Sequence, residues 1–166
     1  MNILYREVQH FRTLWLWLII LPISFVAIWG MIQQLIMGEP FGTNPAPDIA
    51  LIVIVILIGL GLPYALYKIN LKTEVRSDGI YYRFFPFHLS FRRIGLEDIA
   101  RYEAVTYSPL KEYGGWGIRY GRNGKAYNVS GNRGVQLELS DGQRLLLGSQ
   151  RPEEFAIAID IARDRR

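Results

Sequence analysis

The stretch GGWGIRYGRNGKAYNVSG, Gly114 to Gly131, concentrates glycine and base as phosphate-wrapping loops do. Such a loop needs its glycines between a strand and a helix N-terminus, with Lys followed by Ser or Thr. Here Gly124-Lys125 is followed by Ala126, and the residues on both sides read as strands. The glycines are therefore expected to serve turns and close backbone packing. Other chemistry is equally thinly supplied. The chain has no cysteine, hence no disulfide and no thiolate metal site. Its two histidines, His10 and His88, are too few for a His-ligated metal and are expected at solvent or at an interface. Glu97 and Asp98 are adjacent, which on a helical turn points their side chains apart, so they suit capping or solvation. No catalytic activity, cofactor or metal is expected.

Binding chemistry is better represented. In RFFPFHLSFRR, Arg83 to Arg93, bases are interspersed with phenylalanines. Arg83, Arg92 and Arg93, together with Lys68 and Lys72 just after an apolar run, are candidate contacts to anionic headgroups, each worth about 1 kcal/mol near a charged surface. The competing reading buries the phenylalanines in a hairpin, with Phe84 and Phe91 in core alternation, and leaves the arginines to water. Tyr107 and Tyr113 flank Ser108-Pro109 in a loop, and Tyr113 and Trp116 are candidate partner contacts; the competing reading packs the loop's aromatic rings beneath the sheet.

The elements that position these residues fall into two halves. From Thr13 to Met37, and again from Ile49 to Tyr67, there is no Asp, Glu, Lys or Arg. Each run is near the roughly 20 residues a helix needs to cross a hydrocarbon core, and the chain offers no core that would hide both. The first run is longer than a signal-peptide apolar region and no A-x-A-like site follows it, so it reads as an uncleaved anchor. The sequence divides at 1–71, a transmembrane hairpin with helices over about 13–37 and 49–67 and an external loop at 38–48, and 72–166, a cytoplasmic domain. Arg6 and Arg12 precede the first helix and Lys68, Lys72 and Arg76 follow the second, whereas the loop carries Glu39 and Asp48 and no base. The positive-inside bias puts both termini in the cytoplasm. Gly30, Gly59 and Gly61 permit close helix approach. A net charge of +4 suits an anionic leaflet. Acids interleaved with the bases argue against nucleic acid.

After Lys72 the pattern is one of short alternating segments. KTEVRSDGIYYRFFPF offers two strands about Asp78-Gly79, and HLSFRRIG a third with Leu89 and Phe91 on one face. LEDIARYEAVTY begins as a short helical turn at Leu96 to Ile99 and then runs extended. Asn123-Gly124 signals a two-residue hairpin, which pairs Arg122 with Lys125, Tyr120 with Tyr127 and Ile118 with Val129. For RGVQLELSDGQRLLLG, a three-residue loop at Ser140 to Gly142 is the consistent register, with Glu138 opposite Arg144 and Leu137 opposite Leu145. A C-terminal helix over about 152–163 buries Phe155, Ala158, Ile159 and Ala162. Several antiparallel strands followed by an amphipathic helix make a small split barrel capped by that helix.

The segments GGWGIR, Gly114 to Arg119, and NVSGNRGVQLEL, Asn128 to Leu139, resemble a family of small prokaryotic membrane proteins with an N-terminal transmembrane hairpin and a bacterial pleckstrin-homology-like domain. The likeness runs from about Lys72 to Ile161, and the two-helix prefix fits the family's layout. The resemblance implies a strongly bent sheet of about seven strands closed at one end by the C-terminal helix. It implies no activity and carries over no site residue. The function expected is that of a membrane-tethered binding or scaffold module, or alternatively an accessory subunit of a larger membrane complex. The expected partners are the lipid bilayer and either a second copy of the chain or other membrane proteins.

Overall fold

A computed structural model describes residues 2–11 and 14–165 of the chain. It divides into two compact units, Arg12–Lys68 on one hand and Met1–Phe11 with Ile69–Arg166 on the other.

The first unit holds two helices, Leu14–Ile36 and Asp48–Lys68, each long and apolar enough to cross a membrane. Their ends lie within a residue of the expected ones at every described position; Thr13 falls outside the described residues. Only 17% of each apolar window is buried, so most of these side chains point outward, as those of a soluble core helix would not. Each helix relaxes into a π-helical stretch, Ile32–Ile36 in the first and Val55–Gly61 in the second. Of the three glycines expected at helix contacts, Gly59 fits: a methyl there would lie 3.4 Å from Ile28 and 3.8 Å from Ala27. Gly30 instead faces Phe41 of the loop, and Gly61 faces the carbonyl of Ile56 in its own helix. Gln34 Nε2 donates to Ala46 O at 2.8 Å and to Asp48 Oδ1 at 2.7 Å, tying the end of the first helix to the start of the second.

The second unit begins before the hairpin. Residues Ile3–His10 form a strand, β1, which pairs antiparallel with β2, Asn70–Arg76. The sequence division at residue 71 gave these residues to the hairpin; they belong to the β unit. With β3, Gly79–Phe85, and β4, Arg92–Gly95, they make a four-stranded meander in chain order. Leu89 and Phe91 precede β4 and lie in no strand, and Leu89 is exposed. A single 3₁₀ turn, Leu96–Asp98, leads into the second sheet. Its strands are β5 (Ile99–Thr106), β6 (Gly117–Gly121), β7 (Gly124–Asn128), β8 (Arg133–Leu139) and β9 (Arg144–Gly148), in the order β5-β8-β9-β7-β6. The described residues thus form nine strands in two sheets that do not close into a barrel, where a split barrel of about seven was expected.

The β8–β9 hairpin has the expected register. Val135 faces Leu147, Leu137 faces Leu145 and Glu138 faces Arg144, and Gly142 in the loop has φ +83°. The β6–β7 hairpin differs. Its loop is Arg122-Asn123, with Gly121 opposite Gly124, so Tyr120 faces Lys125 and Ile118 faces Tyr127. A slip of two residues keeps every side chain on its expected face. Two glycines settle it: a side chain at Gly121 would strike the carbonyl of Glu112, and one at Gly124, where φ is +94°, that of Arg144.

The helix Pro152–Asp164 packs on β1, β2, β5 and β8, and buries Phe155, Ala158, Ile159 and Ala162 as expected. Phe155 stacks on Tyr5 of β1, with ring centroids 5.1 Å apart. Beside them Glu7, itself buried, accepts hydrogen bonds from Tyr5 Oη, from Ser149 Oγ at 2.7 Å and from the Gln150 N–H at 2.8 Å. Gln9 Nε2 donates to Gly148 O at 2.7 Å. The polar residues on the inner face of β1 are held by the segment that joins β9 to the C-terminal helix.

Candidate functional site

Strand alternation sorts the basic residues by face. The registers Arg6↔Glu74, Lys72↔Arg83, Glu74↔Tyr81 and Tyr81↔Arg93 place these side chains together on the outer face of the first sheet, with Arg76. Glu74 is its buried centre. Its carboxylate lies 2.6 Å from Arg76 Nη2, 3.2 Å from Lys72 Nζ and 3.6 Å from Arg6 Nε. Burial opposes ionisation there, but the hydrogen bonds from Arg76 and Lys72 outweigh it and hold the carboxyl below its ordinary range. The Phe91 ring carries Lys72 Nζ at 5.1 Å and the Arg83 and Arg76 guanidiniums at 5.4 and 5.6 Å from its centroid. Arg93 pairs with Asp78 at 3.3 Å and Glu97 at 3.7 Å.

The five basic candidates therefore separate. Lys72, Arg83 and Arg93 share the outer face. Arg92 pairs in register with Tyr82 on the opposite face, near His88. Lys68 ends the second apolar helix, in the other unit, with its ammonium 5.3 Å from the Tyr64 ring centroid. Arg12, counted among the flanking bases, lies outside the described residues. The shared face is also uneven along its length. Lys72 and Arg83 stand near the end of the sheet at which the chain leaves for the hairpin. Arg76 is four residues further along β2, about 13 Å at strand rise.

His88 is buried rather than at solvent. Its ring lies 5.3 Å from that of Tyr127 and 6.1 Å from that of Tyr82, its backbone N–H donates to Phe84 O at 2.8 Å, and its Nδ1 accepts from the Phe84 backbone N–H at 3.4 Å. Burial, then the nearby positive charge of Arg92 and Lys125, lowers its pKa and keeps the ring neutral.

The two partner-contact candidates also part. Tyr113 is buried in a small cluster with Tyr107, Ala126 and Leu146, edge-on to Tyr107 at 5.8 Å. The short helix Pro109–Tyr113 folds back over the second sheet, so Tyr113 is mainly packing and keeps only an edge at the cavity on that sheet's outer face. Trp116 keeps part of its ring exposed, and its Nε1 donates to Gly131 O at 2.9 Å. It lines an apolar cavity of about 340 Å³ with Phe11, Ile69, Phe84, Phe87 and Ile118, and among the described residues Arg119 is the one charged group that lines it. Sequence reasoning missed this cavity, because its walls come from four separated segments. A second cavity, of about 360 Å³, lies on the outer face of the second sheet and is lined by charged side chains that pair among themselves, Arg101 with Glu103 at 3.3 Å and Arg144 with Glu138 at 2.8 Å.

Glu74 gives the outer face a testable pH dependence. Its folded-state pKa is held below the ordinary carboxyl range, so its contribution is present above that range and is lost as pH falls through the folded value. Glu74→Gln is expected to cost about 1–2 kcal/mol at pH 7. The unfolding curves of variant and parent should converge on acidification. A parent and variant that lose stability in parallel as the solution is acidified through and below the ordinary carboxyl range would place the acid sensitivity elsewhere.

The chain belongs to a family of unknown function, DUF6141, which matches it over residues 1–164. No curated protein and no solved structure matches it.

Proposed function

We propose that this chain is a membrane-tethered binding module. The hairpin crosses the bilayer, and both its ends return to one β unit in the cytoplasm, which binds lipid headgroups or a protein and carries out no catalysis of its own. The observation that carries this reading is the β1–β2 pairing. One strand precedes the hairpin and the other follows it, and the Phe11 N–H donates to Ile69 O at 3.2 Å. Strands paired in one sheet are on one side of any membrane their connection crosses, so an even number of spans must lie between them. Two apolar helices supply that number. Arg6, Lys68 and Lys72 near the paired ends, against a loop with Glu39 and Asp48 and no base, favour the cytoplasmic side. The pleckstrin-homology-like reading is supported by the four-stranded antiparallel meander, the second sheet behind it and the helix packed on both. Of the basic residues, Lys72 and Arg83 stand best for contact with an anionic leaflet, and Arg93 and Arg92 less well.

The native chain has no cysteine, so single thiols report topology cleanly. Thr43→Cys, in the exposed loop, is expected to react with an impermeant maleimide added to intact cells. Asn123→Cys, exposed in the β6–β7 loop, is expected to react only after permeabilisation. Reaction of both sites from the same side would mean that the hairpin does not span.

A further inference from the structure

Phe11 and Ile69, which line the apolar cavity, are the last and first residues of the β unit at its junction with the helices. Ile69 directly follows Lys68, the end of the second helix, and Phe11 is three residues from Leu14, the start of the first. At about 3.5 Å per residue at most, chain length alone holds both walls within roughly 10 Å of the helix ends. If the helices span, these two walls of the cavity lie within that distance of the headgroups.

Its chemistry suits that place. Phe84 is buried and forms the inner wall, with the Phe87 ring 5.9 Å from it. Phe87 and Leu89 are 68% and 80% exposed, large apolar groups that nothing among the described residues of the β unit covers. The volume falls within the range of about 300–1,000 Å³ typical of small-molecule sites. Arg119, exposed at the rim, donates Nε–H to Trp116 O at 3.0 Å and forms no ion pair among the described residues. Lys72 and Arg83 lie at the same end of the first sheet. Those two lie on its outer face, away from Phe84, so Arg119 is the base at the cavity itself. An apolar slot with one base at its rim, a few residues from a bilayer, matches the two ends of one molecule: a hydrocarbon chain and an anionic headgroup.

We propose that this cavity takes an acyl chain of an anionic phospholipid from the leaflet in which the hairpin is rooted, with Phe87 and Trp116 flanking the chain and Arg119 meeting the phosphate. A partner's apolar side chain would fill the slot but would not explain its nearness to the membrane or the unpaired base at its edge. The assignment rests on the spanning reading above, and its test separates the two.

The chain has four tryptophans, and Trp15, Trp17 and Trp29 lie in the first helix. Replacing these three by Phe leaves Trp116 as the only indole of the full-length protein. Reconstituted in vesicles of phosphatidylglycerol with brominated acyl chains, Trp116 is expected to lose about half of its emission relative to unbrominated vesicles, and at least about twofold less in brominated phosphatidylcholine. The exposed-site variants Phe87→Ser and Arg119→Glu, made separately, should each remove most of the quenching and leave the circular dichroism unchanged. Absence of quenching, equal quenching in the two lipids, or quenching that survives both variants overturns the proposal. A companion protein keeping only Trp29 reports the hairpin. If Trp29 is quenched and Trp116 is not, the lipid slot alone falls; if neither is quenched, the spanning reading falls and takes the slot with it.

Discussion

A protein in which residues 12–68 are replaced by a short Gly/Ser linker is expected to fold as a soluble β unit, whereas residues 72–166 alone are expected not to fold. The linker is feasible because Phe11 and Ile69 are already hydrogen-bonded neighbours at the end of an antiparallel pair, with His10 opposite Asn70. The truncation fails for reasons that add up. It removes β1 whole, and with it Tyr5, whose ring covers Phe155. It removes Leu71, which is fully buried, and Glu7, which satisfies Ser149 and the Gln150 N–H. Losing one large buried side chain costs about 2–5 kcal/mol, and each buried donor left without an acceptor about 1–3 kcal/mol. Set against a typical total of about 5–15 kcal/mol, these losses consume the stability of the unit. Thermal melts followed by far-ultraviolet circular dichroism would decide it. A sharp transition for the linked protein and none for the truncation is the expected result. Equal, cooperative melts for both would show that β1 is an accessory strand and that the boundary near residue 72 was right.

That boundary went wrong for a physical reason. In most half-buried strands the apolar residues mark the inner face. In β1 the inner face is Tyr5, Glu7 and Gln9, and the apolar residues Ile3 and Val8 are exposed. The inversion is tolerated because each polar side chain on the inner face meets a partner more than a hundred residues away, Ser149, Gln150 or Gly148. No local pattern announces such partners, and beside an apolar run Arg6 and Arg12 read naturally as membrane flanks. For Tyr113 the sequence left contact and packing both open, and the fold-back of Pro109–Tyr113 onto the second sheet decides for packing.

What was legible was local and strongly patterned. The apolar helices follow from length and the absence of charge. The β8–β9 register follows from having to keep Val135, Leu137, Leu145 and Leu147 on one face, and a single choice of loop achieves that. In the β6–β7 hairpin two registers share the same faces, so alternation could not choose between them; the choice is made by backbone from Glu112 and Arg144, close to Gly121 and Gly124. The cavity beside Trp116 was invisible for the same reason. Phe11, Ile69, Phe84 and Ile118 meet only once the sheets are assembled.

Phe155→Ala is expected to destabilise the linked β unit by about 3–5 kcal/mol, as the loss of a fully buried aromatic ring does. Phe155 lies on the C-terminal helix and its stacking partner Tyr5 on the strand that enters the hairpin, so this one contact joins the two ends of the chain. Tyr5→Ala should also be costly, since it opens the ring contact and takes a donor from Glu7. If strand and helix are held as one body, the double variant should fall short of the sum of the single ones by about 0.5–1.5 kcal/mol, the scale of an aromatic pair beyond its buried area. Urea unfolding of the four proteins gives this coupling directly. Strict additivity would mean that β1 and the helix are fastened independently, the strand through Glu7 and Gln9 and the helix through Ile159 and Ala162. A measured coupling would mean that displacement of the strand at the membrane root is felt at the C-terminal helix, on the same seam that closes the β unit.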